Sequence, residues 1–210
     1  TLKGHQNPIF ALEKGYFPDT FFSGGNDKGV VEWDLKTMKF KRILCAVTSS
    51  IYALHLIPNT SYLAIALREG KVMIVDVEKQ ALIANLKESD KAIFALISIS
   101  HKSELLAIGE DGIARVWSLT TFDLVYKFTV SNTTIRSVAL APNQEELIFG
   151  DKNGNLFYYS ASDFHQIRST QKHSMSITSI IFNRVGDKIF SGGRDAVLKV
   201  SSSDNLNEID

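Results

Sequence analysis

The stretches Ile9-Phe10-Ala11-Leu12, Ile51-Tyr52-Ala53-Leu54, Ile93-Phe94-Ala95-Leu96, Ile135-Arg136-Ser137-Val138 and Ile177-Thr178-Ser179-Ile180 decide the fold, because each begins 42 residues after the one before. Two further columns keep that spacing without a gap. One is Phe21, Leu63, Leu105, Leu147 and Ile189; the other is Trp33, Val75, Trp117, Tyr159 and Ser201. The chain of 210 residues is therefore five units, 1–42, 43–84, 85–126, 127–168 and 169–210, expected to form a single repeat domain. Self-similarity at this period marks a repeat architecture.

Each unit opens with a short apolar run of alternating type, as a strand does. A polar turn follows, such as Pro18-Asp19-Thr20 or Pro58-Asn59-Thr60, then a second apolar run such as Leu63-Ala64-Ile65. A tight turn comes next: Asn26-Asp27-Lys28-Gly29, Glu69-Gly70, Asp111-Gly112, Asn153-Gly154 and Asp195-Ala196. Asx-Gly pairs supply the positive φ that short hairpins need. A third run (Val30 to Trp33 in the first unit) and a more polar fourth (Lys39 to Leu44) complete four antiparallel strands per unit. No segment keeps a helical period. A four-stranded sheet this small cannot bury both faces alone, and stacking copies around an axis does so. The expected fold is an all-β propeller with small residues (Ala11, Ala53, Ala95, Ser137, Ser179) on the innermost strand.

Composition narrows the function. Hydrophobic residues make up 44% and charged residues 22%, which excludes a wholly disordered chain. No apolar run is long enough for a membrane-spanning helix, and the first residues lead into no signal-peptide core. Lys plus Arg total 23 and Asp plus Glu total 23, a balance that argues against broad phosphate-backbone binding. Cys45 is the only cysteine, so neither an internal disulfide nor a thiolate-rich zinc cluster can form. The expected setting is the cytosol.

The units resemble the WD-repeat propeller family. Gly4-His5 followed by Trp33-Asp34 matches the signature at both ends of a unit, and Ser23-Gly24-Gly25-Asn26-Asp27 matches its second-strand end and tight turn. Trp117-Ser118 with Asp111-Gly112, and Ser191-Gly192-Gly193-Arg194-Asp195, repeat parts of it. Only the first unit has the full set His5, Ser23, Asp27 and Trp33. Val47, Ser89 and Ser131 replace the signature His, which returns at His173. The resemblance implies a propeller of WD-repeat type with five four-stranded blades in this chain. The family usually closes with seven, so the five either close on themselves or form part of a seven-bladed propeller. Joining residues 206–210 to 1–5 places both termini in one fourth strand under either reading. An open array would expose apolar faces on its terminal blades.

His5, Ser23 and Asp27 have the composition of a nucleophilic triad. In the family, however, this set with Trp33 is a structural hydrogen-bond network, and its partial recurrence as His173, Ser191 and Asp195 is what scaffolding would show. The five histidines (His5, His55, His101, His165, His173) have no metal-ligand spacing, so no metal site is expected. His55 alternates with apolar neighbours and reads as an interior residue. The glycines of Gly24 to Gly29 miss the phosphate-loop pattern, and Asp151-Lys152-Asn153-Gly154-Asn155 lacks the bidentate Glu of a calcium loop. No cofactor is implied.

The family binds partners on the narrower, top face, at recurring positions. One column follows the first-strand Ile: Phe10, Tyr52, Phe94, Arg136 and Thr178. A second precedes the turn acid: Asn26, Arg68, Glu110, Lys152 and Arg194. A third precedes the Ile: Pro8, Ser50, Ala92, Thr134 and Ser176. Three aromatics and an arginine have the composition of an interface hot spot, although in strict alternation the aromatics could instead fill gaps between blades. The expected function is a noncatalytic protein-interaction scaffold binding a protein or peptide with acidic and apolar side chains, and neither nucleic acid nor membrane. The alternative is an enzyme or small-ligand sensor using the central channel. The first-strand columns supply Ile, Ala and Ser rather than convergent acids and bases, which favours the scaffold.

Overall fold

A computed structural model of the chain describes residues 2–205, 207 and 209. It is all-β apart from one 3-10 turn, Ser100–Lys102. Among the described residues no helix is long and apolar enough to cross a membrane. Two compact units are present, Thr1–Leu96 and Ile97–Asp210, the division falling inside the strand Ile93–Ile99.

In the first unit, strands β1 (Ile9–Lys14), β2 (Thr20–Gly25), β3 (Gly29–Asp34) and β4 (Lys39–Ala46) form an antiparallel sheet in chain order. Strands β5 (Ile51–Leu56), β6 (Tyr62–Leu67), β7 (Lys71–Asp76) and β8 (Ala81–Lys87) form a second. The third sheet is β9 (Ile93–Ile99), β10 (Glu104–Gly109), β11 (Ile113–Ser118) and β12 (Leu124–Thr129). In the second unit, β13 (Ile135–Leu140), β14 (Glu146–Asp151), β15 (Asn155–Ser160) and β16 (Gln166–Gln171) form a fourth sheet. The fifth holds β17 (Ile177–Phe182), β18 (Lys188–Gly193) and β19 (Leu198–Ser202). Every first strand starts at its expected isoleucine.

Sequence reading expects four strands in the last unit as well. Beyond β19 the described residues still follow its edge: Ser202 N donates to Asn207 O and Ile209 N to Val200 O, both at 2.9 Å. Thr1, Leu206, Glu208 and Asp210, which share the expected join of the termini, lie outside the described residues.

The two middle strands of a sheet are covered on both sides and read as nearly continuous apolar runs, as in Leu63–Leu67 and Leu105–Ile108. Fourth strands face solvent; β12 is exposed along almost its whole length. The tight turn repeats its backbone as faithfully as the strands do. Lys28, Gly70, Gly112, Gly154 and Ala196 all have φ between 60° and 87°. A Cβ on Gly112 would lie 2.0 Å from the Ser131 carbonyl oxygen, so glycine is required there. Lys28 and Ala196 hold the same left-handed conformation with a side chain, at a cost of roughly 1 kcal/mol each.

Neighbouring sheets meet through one recurring joint. Phe22 and Val30 of the first sheet pack with Ile51, Leu54 and Leu63 of the second. Ile148 and Leu156 of the fourth pack with Ile177, Ile180 and Ile189 of the fifth, the same columns three repeats later. Gly24 and Gly150 lie under Ile51 and Ile177, where an added Cβ would come 2.8 and 2.7 Å from the isoleucine Cγ2. An arginine straps each joint: Arg42 Nη2 donates to Val77 O at 3.1 Å, and Arg168 Nη2 donates to Ser203 O. Arg42 is balanced by the fully buried Glu32, which its Nε reaches at 2.6 Å and Lys41 Nζ at 2.9 Å. Arg168 lies 4.2 Å over the ring of Tyr158, which stands in the Glu32 column. A carboxylate and an aromatic face are alternative answers to one half-buried guanidinium.

Candidate functional site

The first-unit set forms a continuous relay. Trp33 Nε1 donates to Ser23 Oγ at 2.6 Å, Ser23 Oγ is 2.7 Å from His5 Nε2, and His5 Nδ1 is 2.8 Å from Asp27 Oδ2. The carboxylate only accepts, so Nδ1 carries the proton, and in the neutral ring Nε2 accepts from the serine hydroxyl. Gly4 leaves room for the indole, since a Cβ there would be 2.7 Å from Trp33 Cη2. Burial acts to raise the Asp27 carboxyl. Hydrogen bonds from Asn7, the Gln6 amide and His5 outweigh it and hold the group below the usual carboxylate range. Ser23 is buried, and its oxygen accepts from the indole. These bonds tie the segment before β1 to the tight turn and to the third strand.

In the fifth sheet His173 Nε2 is 2.9 Å from Ser191 Oγ and its Nδ1 is 3.0 Å from Asp195. Asp195 also accepts from the Ser174 amide at 3.0 Å. Burial again opposes, and the bonds from His173 and the backbone again win, lowering the Asp195 pKa. Ser201 stands in the Trp33 column with its hydroxyl buried and without a hydrogen-bond partner.

The other turns are tied by different chemistry. Glu69 accepts from Thr48 Oγ1 at 2.5 Å and pairs with Lys71 at 2.9 Å, and these two contacts lower its pKa. Asp111 holds Arg115 Nη2 at 2.8 Å and the Ile113 amide at 3.1 Å. In the fourth sheet the carboxylate is Asp151, two positions before the expected turn acid. It accepts from Ser131 Oγ (3.1 Å) and from the Asn153 and Asn155 amides (2.9 and 2.8 Å). The oxygen-rich stretch from Asp151 to Asn155 is thus a self-bonded hairpin turn. Among the described residues no group of three His, Cys, Asp or Glu side chains is placed to hold a metal.

Phe10, Tyr52, Arg136 and Thr178 share one feature that strict alternation does not anticipate. Each sits in a β-bulge: Ile9 pairs with Gly25 and Ala11 with Gly24, so Phe10 has no partner of its own, and the register skips likewise at Tyr52, Arg136 and Thr178. A bulge re-aims the extra side chain. In the first unit the result is a row of three rings, Phe10 to Tyr52 at 5.4 Å and Tyr52 to Phe94 at 5.0 Å between centroids, inclined by 50° and 48°. Phe10 is exposed; Tyr52 and Phe94 are partly buried. The rings cross from sheet to sheet, as gap-filling predicts, while leaving an aromatic surface in solvent.

Asn26, Arg68, Glu110, Lys152 and Arg194 are all exposed. The second and third columns are joined by backbone hydrogen bonds, Asn26 N to Pro8 O, Arg68 N to Ser50 O, Lys152 N to Thr134 O and Arg194 N to Ser176 O, between 2.8 and 3.0 Å. Ser50 Oγ then reaches Asn26 Oδ1 of the preceding sheet at 2.7 Å. His55 is interior in character, and burial, with Lys14 nearby, pushes its imidazole down to about 4. Burial pushes the Cys45 thiol up to about 11, which makes it inert near neutrality.

Comparison with known proteins agrees with this geometry. Residues 164–200, which contain His173, Ser191 and Asp195, match the family described as "WD domain, G-beta repeat". WD repeat-containing protein 90 of Mus musculus is 31% identical over 106 residues, covering 48% of this chain and 6% of the relative. WD repeat-containing protein 1 of Gallus gallus is 24% identical over 211 aligned positions, covering 97% of this chain and 35% of the relative. Autophagy-related protein 16 of Arabidopsis thaliana is 20% identical, covering 98% of this chain and 40% of the relative. The chain thus spans well under half the length of each. Antiparallel sheets recurring at a fixed period and tied by His–Ser–Asp relays are what a WD-type propeller is built from, and residues 164–200 are similar to its repeat.

Proposed function

We propose that the chain is a noncatalytic scaffold that binds a protein or peptide through the aromatic row Phe10, Tyr52 and Phe94. The observation that carries this reading is the row itself, three adjacent rings, Phe10 and Tyr52 at bulges, with Phe10 left in solvent. Rigid aromatics supply contact area at little entropic cost, which is why they dominate interface hot spots. Arg68 is exposed in the same unit and suits an acidic side chain beside an apolar one. In the second unit the corresponding repeat positions carry Glu110, Arg136, Lys152 and Arg194, a mostly basic set of the same kind. The relay serines are held as struts, which supports binding rather than turnover. Affinity capture with the intact chain and with a Phe10/Tyr52/Phe94 triple alanine variant tests the proposal. Loss of the captured proteins from a variant with an unchanged circular-dichroism spectrum supports it. An unchanged set of captured proteins refutes it, as would hydrolytic turnover abolished by Ser23→Ala.

A further inference from the structure

The fourth and fifth sheets meet at their loops as well as in their core. A Cβ added to Gly186 would lie 3.2 Å from Pro142 Cδ, so the loops that precede β14 and β18 are in contact. In the joint between the first and second sheets the same two columns hold Tyr16 and Thr60, and there the loops stand apart. Between them is a cavity of about 570 Å³, whose lining includes Lys14, Tyr16, Ile57, Pro58, Asn59 and Glu78. Every lining residue belongs to the first two sheets or their loops, so the walls come from one internal joint. The cavity lies at the opposite end of β1 and β5 from Phe10 and Tyr52.

The backbone around this cavity is already bonded to itself. Gly15 N donates to Thr20 O at 2.8 Å, Ile57 N to Tyr62 O at 2.9 Å and Thr60 Oγ1 to Ile57 O at 2.9 Å. The nearby carboxylate of Asp76 is buried and accepts from the Ser61 hydroxyl and from the Glu78 and Lys79 amides. Glu78 itself is exposed, and the Tyr16 hydroxyl is directed at its carboxylate, a bond that raises the tyrosine pKa. Lys14 Nζ and the Asn59 side-chain amide have no hydrogen-bond or ion-pair partner among the described residues. The cavity therefore has an uncommitted cation on the first-sheet wall, a carboxylate on the second-sheet wall, and apolar surface from Leu56, Ile57 and Pro58.

We propose that this cavity binds a small aliphatic zwitterion, its carboxylate at Lys14 and Asn59 and its ammonium group at Glu78. A purely anionic ligand would meet Glu78 and a purely cationic one would meet Lys14, whereas a ligand with both charges complements both walls. The aliphatic stretch between its charges covers Ile57 and Pro58, which adds apolar burial to the two polar contacts. The volume is within the range of small-molecule sites and suits an amino acid rather than a folded partner. Tyr16 is a positioning residue, holding Glu78 toward the cavity.

Calorimetric titration and amide NMR of the intact chain test this with β-alanine, γ-aminobutyrate and ε-aminohexanoate as probes. The carboxylic acid and the amine of matching length serve as single-charge controls. One zwitterion is expected to bind at least about tenfold more tightly than either of its controls, with amide shifts centred on Gly15, Tyr16 and Thr60. The preferred length then reads the span from Lys14 to Glu78. Lys14→Met and Glu78→Gln, both at exposed positions that folding tolerates, should each weaken that binding about tenfold. The Phe10/Tyr52/Phe94 triple alanine variant should keep it. Four results would overturn the proposal. One is no binding of any zwitterion at millimolar concentration. A second is a single-charge control that matches its zwitterion. A third is binding that survives Lys14→Met and Glu78→Gln alike. The fourth is loss of binding in the triple alanine variant with an unchanged circular-dichroism spectrum, which would move the ligand to the aromatic row.

Discussion

The first and fifth sheets carry the same His–Ser–Asp relay and end it differently. In the first, Trp33 donates to Ser23, so the serine hydroxyl has a partner on each side. In the fifth, Ser201 takes the indole's place and makes no such bond, so Ser191 depends on His173. The turn is nevertheless held in both, since the imidazole still spans from serine to carboxylate. The relay is therefore two separable devices. The His–Asp half pins the turn, and the Trp–Ser half fills volume and ties the third strand to it.

The largest effect should come from making the first sheet like the fifth. Trp33→Ser removes a buried indole that also stacks on Phe21 with centroids 6.0 Å apart. It should cost about 4 kcal/mol in urea unfolding followed by far-ultraviolet circular dichroism. A loss below about 1 kcal/mol would mean that the indole is dispensable. Next in size, His173→Ala should destabilise by about 2–3 kcal/mol and His5→Ala by about 1–2 kcal/mol, because Ser23 keeps its indole partner whereas Ser191 is stranded in a buried site. The reverse order would break the comparison.

Acid should release both relays in one window. The folded Asp27 and Asp195 carboxyls are held below their unfolded value of 3.8, so their contribution is fully present above that pH. It is lost as pH falls through the folded values. Trp33 fluorescence in a Trp117→Phe background reads this in the first sheet, and a change already complete at pH 6 would contradict it. The smallest effect sharpens the turns: Ala196→Gly and Lys28→Gly relieve a left-handed backbone and should each stabilise by about 0.5 kcal/mol in the same urea assay. Destabilisation at either position would show that the side chain is needed there.

Much of this was legible in the sequence. The isoleucine column gives the start of every first strand, the turn column recurs as positive φ at one residue per repeat, and His5, Ser23, Asp27 and Trp33 meet as the family pattern implies. The bulge under Phe10 was not, because two residues facing one on the partner leave no trace in a single strand's alternation. The only hint was a large side chain wedged between Ile and a small residue in several repeats. Asp151 was read as one oxygen in a polar loop, since it stands in the Gly25 column. The hydroxyls Ser131 and Thr133, near the missing histidine, were the clue that a carboxylate faces them. Glu32 reads as an outward polar residue on a strand, yet it is fully buried because two cations reach it from the adjacent strand. Long side chains act across strands, where periodicity carries no information.

The arginine strap has a bearing on how the molecule comes apart. Arg42 is rooted in β4 and bonded beyond β7, and Arg168 is rooted in β16 and bonded beyond β19. Peeling away the neighbouring sheet costs each arginine its carbonyl acceptor and uncovers the apolar joint beneath it, so the lowest-energy opening is the pair, not the single sheet. Amide exchange in β1–β8 should then report one cooperative quantum spanning some eighty residues, twice the length of the repeat that evolution copied.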